Sequence, residues 1–111
     1  MPDAPRLTDE QRSRARAEAL AARTARAQAR AELKAGTLSL PELLRRAERD
    51  PQLAAMRVSA LIAALPGYGE ARSAALMAEL RIAASRRIRG LGPKQRVALL
   101  ARTGHPAESA P

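Results

Sequence analysis

The chain has 111 residues, enough for one domain with an appended arm. Its 20 Lys+Arg against 11 Asp+Glu leave a formal charge of +9, which favours a polyanionic partner without specifying a fold. With no Cys and His105 as its one histidine, it offers no disulfide framework, no thiolate nucleophile and no His-rich metal site. No run of about 18 apolar residues is present to cross a bilayer, and Met1-Pro2-Asp3-Ala4-Pro5 does not read as a signal peptide.

Most of the 46% hydrophobic content is alanine, and the larger apolar residues fall almost entirely between Leu38 and Leu100. A modest core is expected there and none within residues 1–36, where only Leu7, Leu20 and Leu33 follow Met1. Residues 8–35 lack Gly and Pro and are dominated by strong helix formers. Thr8 with Gln11 reads as a capping box and Gly36 as a stop, so one long helix is predicted. Ser39 and Glu42 read as a second capping box, opening a helix to about Arg49. Asp50-Pro51 reads as an N-cap with Pro in the first turn of a short helix. Ser59 is predicted to cap a helix that Pro66-Gly67 ends after Leu65. Gly69 opens the next, from Glu70 to about Arg81; Ser85 is expected to cap a short turn ending at Gly90. Gly92-Pro93 starts a last helix to Arg102, with Gly104 behind it and a frayed tail from His105 onward. No segment alternates with period two among β-branched residues, so no strands are expected.

Three features carry chemistry. At 100° per residue, Arg12, Arg16, Arg23, Arg26, Arg30 and Lys34 fall within a sector of roughly 80° on the first helix. They span roughly 33 Å, about one turn of B-DNA. Glu10, Glu18 and Glu32 lie on the far side, Asp9 comes near the stripe in the first turn, and Arg14 is placed to pair with Glu18. Stacked like charges destabilise an isolated helix, so a partner that neutralises them is one explanation. A solvated face of a helix docked on its own domain is the other.

The second feature is a pair of Gly-apolar-Gly hairpins, Leu65-Pro66-Gly67-Tyr68-Gly69-Glu70 and Ile88-Arg89-Gly90-Leu91-Gly92-Pro93. In each, the first glycine is expected to take the positive φ that ends a helix. The second, Gly69 or Gly92, leaves open space before a helix N-terminus whose free amides attract phosphate. The residue between them is expected to point inward. Helix-hairpin-helix motifs of this kind grip DNA backbone without reading bases. The third feature is the basic cluster Arg86, Arg87, Arg89, Lys94 and Arg96 around the second hairpin, with Arg57 and Arg72 as basic neighbours of the first. Residues 85–111 carry six basic side chains and one acidic, whereas residues 37–84 carry six and five. Ser59 and Pro66 complete the candidate contacts. Tyr68 reads as core, and Met56 and Met77 as packing residues. No nucleophile–base pair, carboxylate dyad or Walker motif is present, so no catalytic residue, metal site, cofactor or small-molecule substrate is expected.

From about Leu7 to Thr103 the chain resembles the actinobacterial integration host factor family. The resemblance rests on Leu7-Thr8-Asp9-Glu10-Gln11, Val58-Ser59-Ala60-Leu61, Ala64-Leu65-Pro66, Gly69, and most specifically Arg86-Arg87-Ile88-Arg89-Gly90-Leu91-Gly92 with Lys94-Gln95-Arg96. It implies a nucleoid-associated protein with a long N-terminal helix and a DNA-gripping domain like that of ribosomal protein S13. It also implies little sequence preference and effects on DNA bending, topology and compaction. The chain departs from the family at Gly67 and Glu70, positions commonly held by Lys, which weakens the first hairpin's claim on a phosphate.

The expectation is an all-α protein: a basic helical arm (1–36), a compact bundle of short helices with two hairpins (37–104) and a disordered tail (105–111). It would be a monomer when free, cytoplasmic and nucleoid-associated, with double-stranded DNA as partner and no membrane contact. The alternative is an RNA- or ribosome-associated module using the same hairpin, against which the scarcity of aromatic stacking platforms counts.

Overall fold

The computed structural model describes residues 7–104, so the expected tail at 105–111 lies outside the described residues. Among the described residues the regular elements are helical. They are α1 (Asp9–Ala35), α2 (Leu40–Ala47), α3 (Pro51–Ala54), α4 (Val58–Ala64), α5 (Glu70–Glu79), a 3-10 turn (Ile88–Gly90) and α6 (Pro93–Arg102). The sole extended pairing among them is an isolated antiparallel bridge between Arg57 and Arg87. There, Val58 N–H donates to the Arg86 carbonyl at 3.0 Å and Ile88 N–H to the Met56 carbonyl at 2.9 Å.

Local chemistry sets both ends of α1 and the start of α3. The Thr8 hydroxyl accepts from Gln11 N–H at 3.0 Å while Gln11 Oε1 accepts from Thr8 N–H at 2.8 Å, a complete capping box. Gly36, at φ +80°, closes the same helix in the left-handed conformation. Asp50 caps α3 by accepting from Gln52 N–H at 2.9 Å.

Three capping expectations need correction. Ser39 accepts from Glu42 N–H at 3.2 Å, but the box is not reciprocal, because Arg45 at 2.7 Å and Arg46 at 3.4 Å take the Glu42 carboxylate. The Arg45 hydrogen bond leads in holding that carboxyl below the usual range, with desolvation opposing it and the charges of Arg45 and Arg46 adding to it. Ser59 is no cap: α4 begins one residue earlier at Val58, because the bridge fixes Arg57 as the extended residue before it. Ser85 lies in the turn before the bridge and caps nothing; Arg87 precedes the 3-10 turn. At α6, Gln95 Oε1 accepts from Gly92 N–H at 3.2 Å, and glycine has no side chain to return the bond.

The α5 helix stops at Glu79 rather than Arg81, and Arg81 itself takes φ +56°. Ile82 N–H reaches back to the Met77 carbonyl at 2.9 Å, the closure usually made around a glycine.

Leu40, Leu43 and Leu44 of α2, Met56, Val58, Leu61 and Ile62 around α4, and Leu99 of α6 are at most 1% exposed and form the centre of the core. Leu76 and Met77 of α5 close one side. The expectation that residues 1–36 add nothing to this core is corrected: Leu33 is fully buried and Ala29 nearly so. The C-terminal part of α1 packs on α3 and α4, with Ala22, Ala25, Arg26 and Glu32 half-buried along the seam. Every residue from Asp9 to Ala21 is exposed. One helix thus serves as both core element and projecting arm, its free part about 20 Å long at 1.5 Å per residue.

Candidate nucleic-acid interface

Pairing with acids sorts the cations of the described residues. Arg12 binds Asp9 at 2.7 Å, Arg14 binds Glu10 at 3.3 Å, Arg46 reaches Glu32 and Glu42, Arg96 binds Glu48 at 3.0 Å and Arg102 binds Glu79 at 2.5 Å. Arg14 therefore takes the acid four residues before it, not Glu18. Arg16, Arg23, Arg26, Arg30 and Lys34 of the stripe make no ion pair among the described residues, and neither do Arg49, Arg57, Arg81, Arg89 and Lys94. The uncompensated charge runs along α1 and around the two hairpins.

The stripe divides at the edge of the body. Arg12 and Arg16 lie on the projecting part, whereas Arg23, Arg26, Arg30 and Lys34 lie where α1 is docked, with Arg26 half-buried. Ala29 and Leu33 are one helical turn from Arg26 and Arg30 and seat this face so that the stripe flanks the seam. Consequently Arg30 and Lys34 line one cleft with the whole first hairpin, from Leu65 to Glu70, and with Ala60, Ala63 and Ala64. That neighbourhood has no signature in the sequence, because it depends on α1 packing against α4.

In the first hairpin Gly67 is left-handed at φ +82°, as expected, and Gly69 has open space where a Cβ would stand. Tyr68 is half-buried against the core and Pro66 is exposed. Arg72 folds back: its Nη1 donates to the Gly67 carbonyl, and its guanidinium lies 4.5 Å from the Tyr68 ring centroid. Ser59 is half-buried, its carbonyl accepting from the Ser73 hydroxyl at 2.8 Å, and it shares an apolar groove with Glu70 and Met77.

The second hairpin is built differently. Gly90 is the last residue of the 3-10 turn and is not left-handed, so the expected equivalence of the two first glycines is corrected. Leu91 is half-buried against the core, and Gly92 precedes α6 in extended conformation. Arg86 Nη1 donates to the Gly90 carbonyl at 2.9 Å, and Arg87 Nη1 donates to the Ala55 carbonyl at 2.6 Å. Both side chains are half-buried, whereas Arg89 and Lys94 are exposed. The sequence reading missed Arg49, which shares a cleft with Arg89 and Arg96 although it is distant from both along the chain. No local signal marks it. Arg81 was also missed; its carbonyl accepts from Gln95 at 3.3 Å, which brings it to the start of α6.

Residues 33–103 match the S13-like H2TH domain family. A protein named integration host factor from Mycobacterium tuberculosis is 50% identical over 100 residues, covering 90% of this chain and 95% of that one. Another of that name, from Streptomyces coelicolor, is 43% identical over 91 residues, covering 82% and 85%. The chain belongs to the integration host factor family. A solved structure described as sIHF bound to an 8-base-pair palindromic DNA superposes with a TM-score of 0.76 at 39% identity, covering 78% of this chain and 98% of that one. The family's H2TH match begins at Leu33, the residue by which α1 enters the core, and takes in both hairpins. It leaves the projecting part of the basic helix outside.

Proposed function

We propose that this integration host factor family member is an architectural, nucleoid-associated protein that grips double-stranded DNA by its phosphates with little regard to sequence. The observation that carries this reading is the cleft in which Arg30 and Lys34 meet the first hairpin. Two cations without an acid partner among the described residues face a turn that leads into the N-terminus of α5, where Glu70, Ala71 and Arg72 carry the unbonded amides of a first turn. The arm thereby returns to the first hairpin the positive charge that Glu70 withdraws. The DNA-bound relative and the family membership support the same partner.

The contact set proposed runs from Arg12, Arg16, Arg23, Arg26, Arg30 and Lys34 through Ser59, Pro66, Gly67 and Gly69 to Arg57. At the second hairpin it takes in Arg89, Gly92 and Lys94, with Arg49 added. Held at the arm and at the hairpins, a duplex would be bent, or two segments bridged. The protein acts by binding rather than catalysis, as a monomer when free, at the cytoplasmic nucleoid.

The test is a gel-shift competition among duplex DNA, single-stranded DNA and structured RNA at fixed salt. Duplex DNA is expected to compete best. Preferential loss of the complex to structured RNA would replace this reading with the RNA-binding one.

A further inference from the structure

Each hairpin is crossed by one arginine, and both arginines take the equivalent atom. Arg72 Nη1 donates to the carbonyl of Gly67, and Arg86 Nη1 donates to the carbonyl of Gly90. They arrive from opposite directions along the chain, Arg72 from the helix after its turn and Arg86 from the segment before. Around Arg86 the fit is close. A Cβ added at Gly90 would lie 3.0 Å from Arg86 Cδ and 3.3 Å from its Nη1. Arg86 Nε is buried with no acceptor among the described residues. A guanidinium placed only to attract a distant phosphate would keep its donors in water; this one leaves Nε dry in order to lie across the turn.

We propose that Arg72 and Arg86 are positioning residues, staples that hold the two hairpins in shape by binding the first glycine's carbonyl, while neighbouring cations meet the phosphates. This rests on the DNA-binding reading above and deepens it. The staple has two physical effects. It fixes the turn that aims Arg89 and the first amides of α6, and it covers a carbonyl oxygen whose negative end would repel an approaching phosphate. It also gives Gly90 its reason. With φ outside the left-handed region, a side chain at that position would press on Arg86 rather than strain the backbone.

The second hairpin provides the cleaner test, because Gly67 is left-handed and any side chain there is strained regardless. Affinity of the full chain for a random-sequence DNA duplex is read over a salt series. Amide exchange is followed at Gly90 and Leu91, whose N–H groups donate to Arg87 and Ile88 at 2.8 and 3.0 Å. Arg89→Ala is expected to lower the slope of log K against log salt by about 0.9. Arg86→Ala is expected to weaken binding about tenfold at unchanged slope and to speed both exchanges. Gly90→Ala, which sets a methyl against Arg86, should do the same, yet cost little more once Arg86 is already alanine. An Arg86→Ala slope that falls as far as that of Arg89→Ala overturns the proposal, and so does a Gly90→Ala loss of equal size in both backgrounds. Should Arg86→Ala fail to fold, Gly90→Ala decides alone, since its charge is intact: weaker binding at unchanged slope supports the staple, and unchanged affinity sinks it. A wild-type chain that does not shift the duplex refutes the DNA reading instead, and the exchange rates in Gly90→Ala still report whether the staple holds.

Discussion

Glu70 shares a cleft with Arg30 and Lys34 and pairs with neither. An anion at the start of α5 stabilises the free helix through the dipole, and it occupies the place where a phosphate would gain from the same field. Glu70→Lys is therefore expected to tighten duplex binding about three- to tenfold and to steepen the salt slope by about 0.9. An unchanged affinity by titration at low and moderate salt would show that this hairpin meets no phosphate. Arg81 poses a different question at the same scale, because φ +56° costs a side chain roughly 1 kcal/mol that glycine escapes. Arg81→Gly should accordingly raise the thermal midpoint by several degrees. A lower midpoint would mean that the Arg81 side chain makes a contact worth more than the strain.

The element that decides the architecture is α1. Leu33 is fully exchanged from water into the core, so Leu33→Ala should cost about 2–5 kcal/mol in denaturant unfolding. A cost near zero would detach the arm from the body. Deleting residues 1–35 removes Ala29 and Leu33 with the arm and is expected to unfold the remainder. Deleting residues 1–21 removes only exposed positions of the helix and should leave a folded protein by circular dichroism. That shorter truncation should still bind DNA, with a slope shallower by roughly 0.9 for each of Arg12 and Arg16 that meets a phosphate. The arrangement of the stripe is separable from its charge. Exchanging Arg16 with Ala17 and Arg23 with Gln28 moves two cations off the face at exposed positions while keeping composition. Binding that survives the exchange unchanged would show that total charge alone matters.

For the whole molecule, the sorting of cations into paired and unpaired sets predicts electrostatic, sequence-tolerant binding. With about 6–10 phosphate contacts, log K should fall against log salt at roughly −0.9 per contact. A shallow slope, or a thousandfold preference for one duplex over random sequence, would contradict a grip on the backbone. The two places of contact proposed, arm and hairpins, also separate affinity from architecture. Full-length chain is expected to compact long DNA in single-molecule extension measurements, and the chain lacking residues 1–21 to bind with little compaction.

The sequence by itself determined the helical class, the extent of α1 and the regions where positive charge collects. Those follow from short-range chemistry: Thr8 and Gln11 satisfy each other three residues apart, Gly36 takes a conformation other residues resist, and Pro93 begins a helix it cannot continue upstream. Even the failures of this reading were short-range in outcome and long-range in cause. Ser59 resembled a cap, but the pairing of Arg57 with Arg87 chose the helix start. Only the tertiary structure decided what the arginines do. A guanidinium reaches several ångströms and takes whichever acceptor the fold presents, so Arg87 on Ala55, Arg86 on Gly90 and Arg96 on Glu48 read in sequence as the same basic cluster as exposed Arg89 and Lys94. Likewise, the meeting of Arg30 and Lys34 with the first hairpin depends on Leu33 finding the core, a packing event between segments that carry no local record of each other.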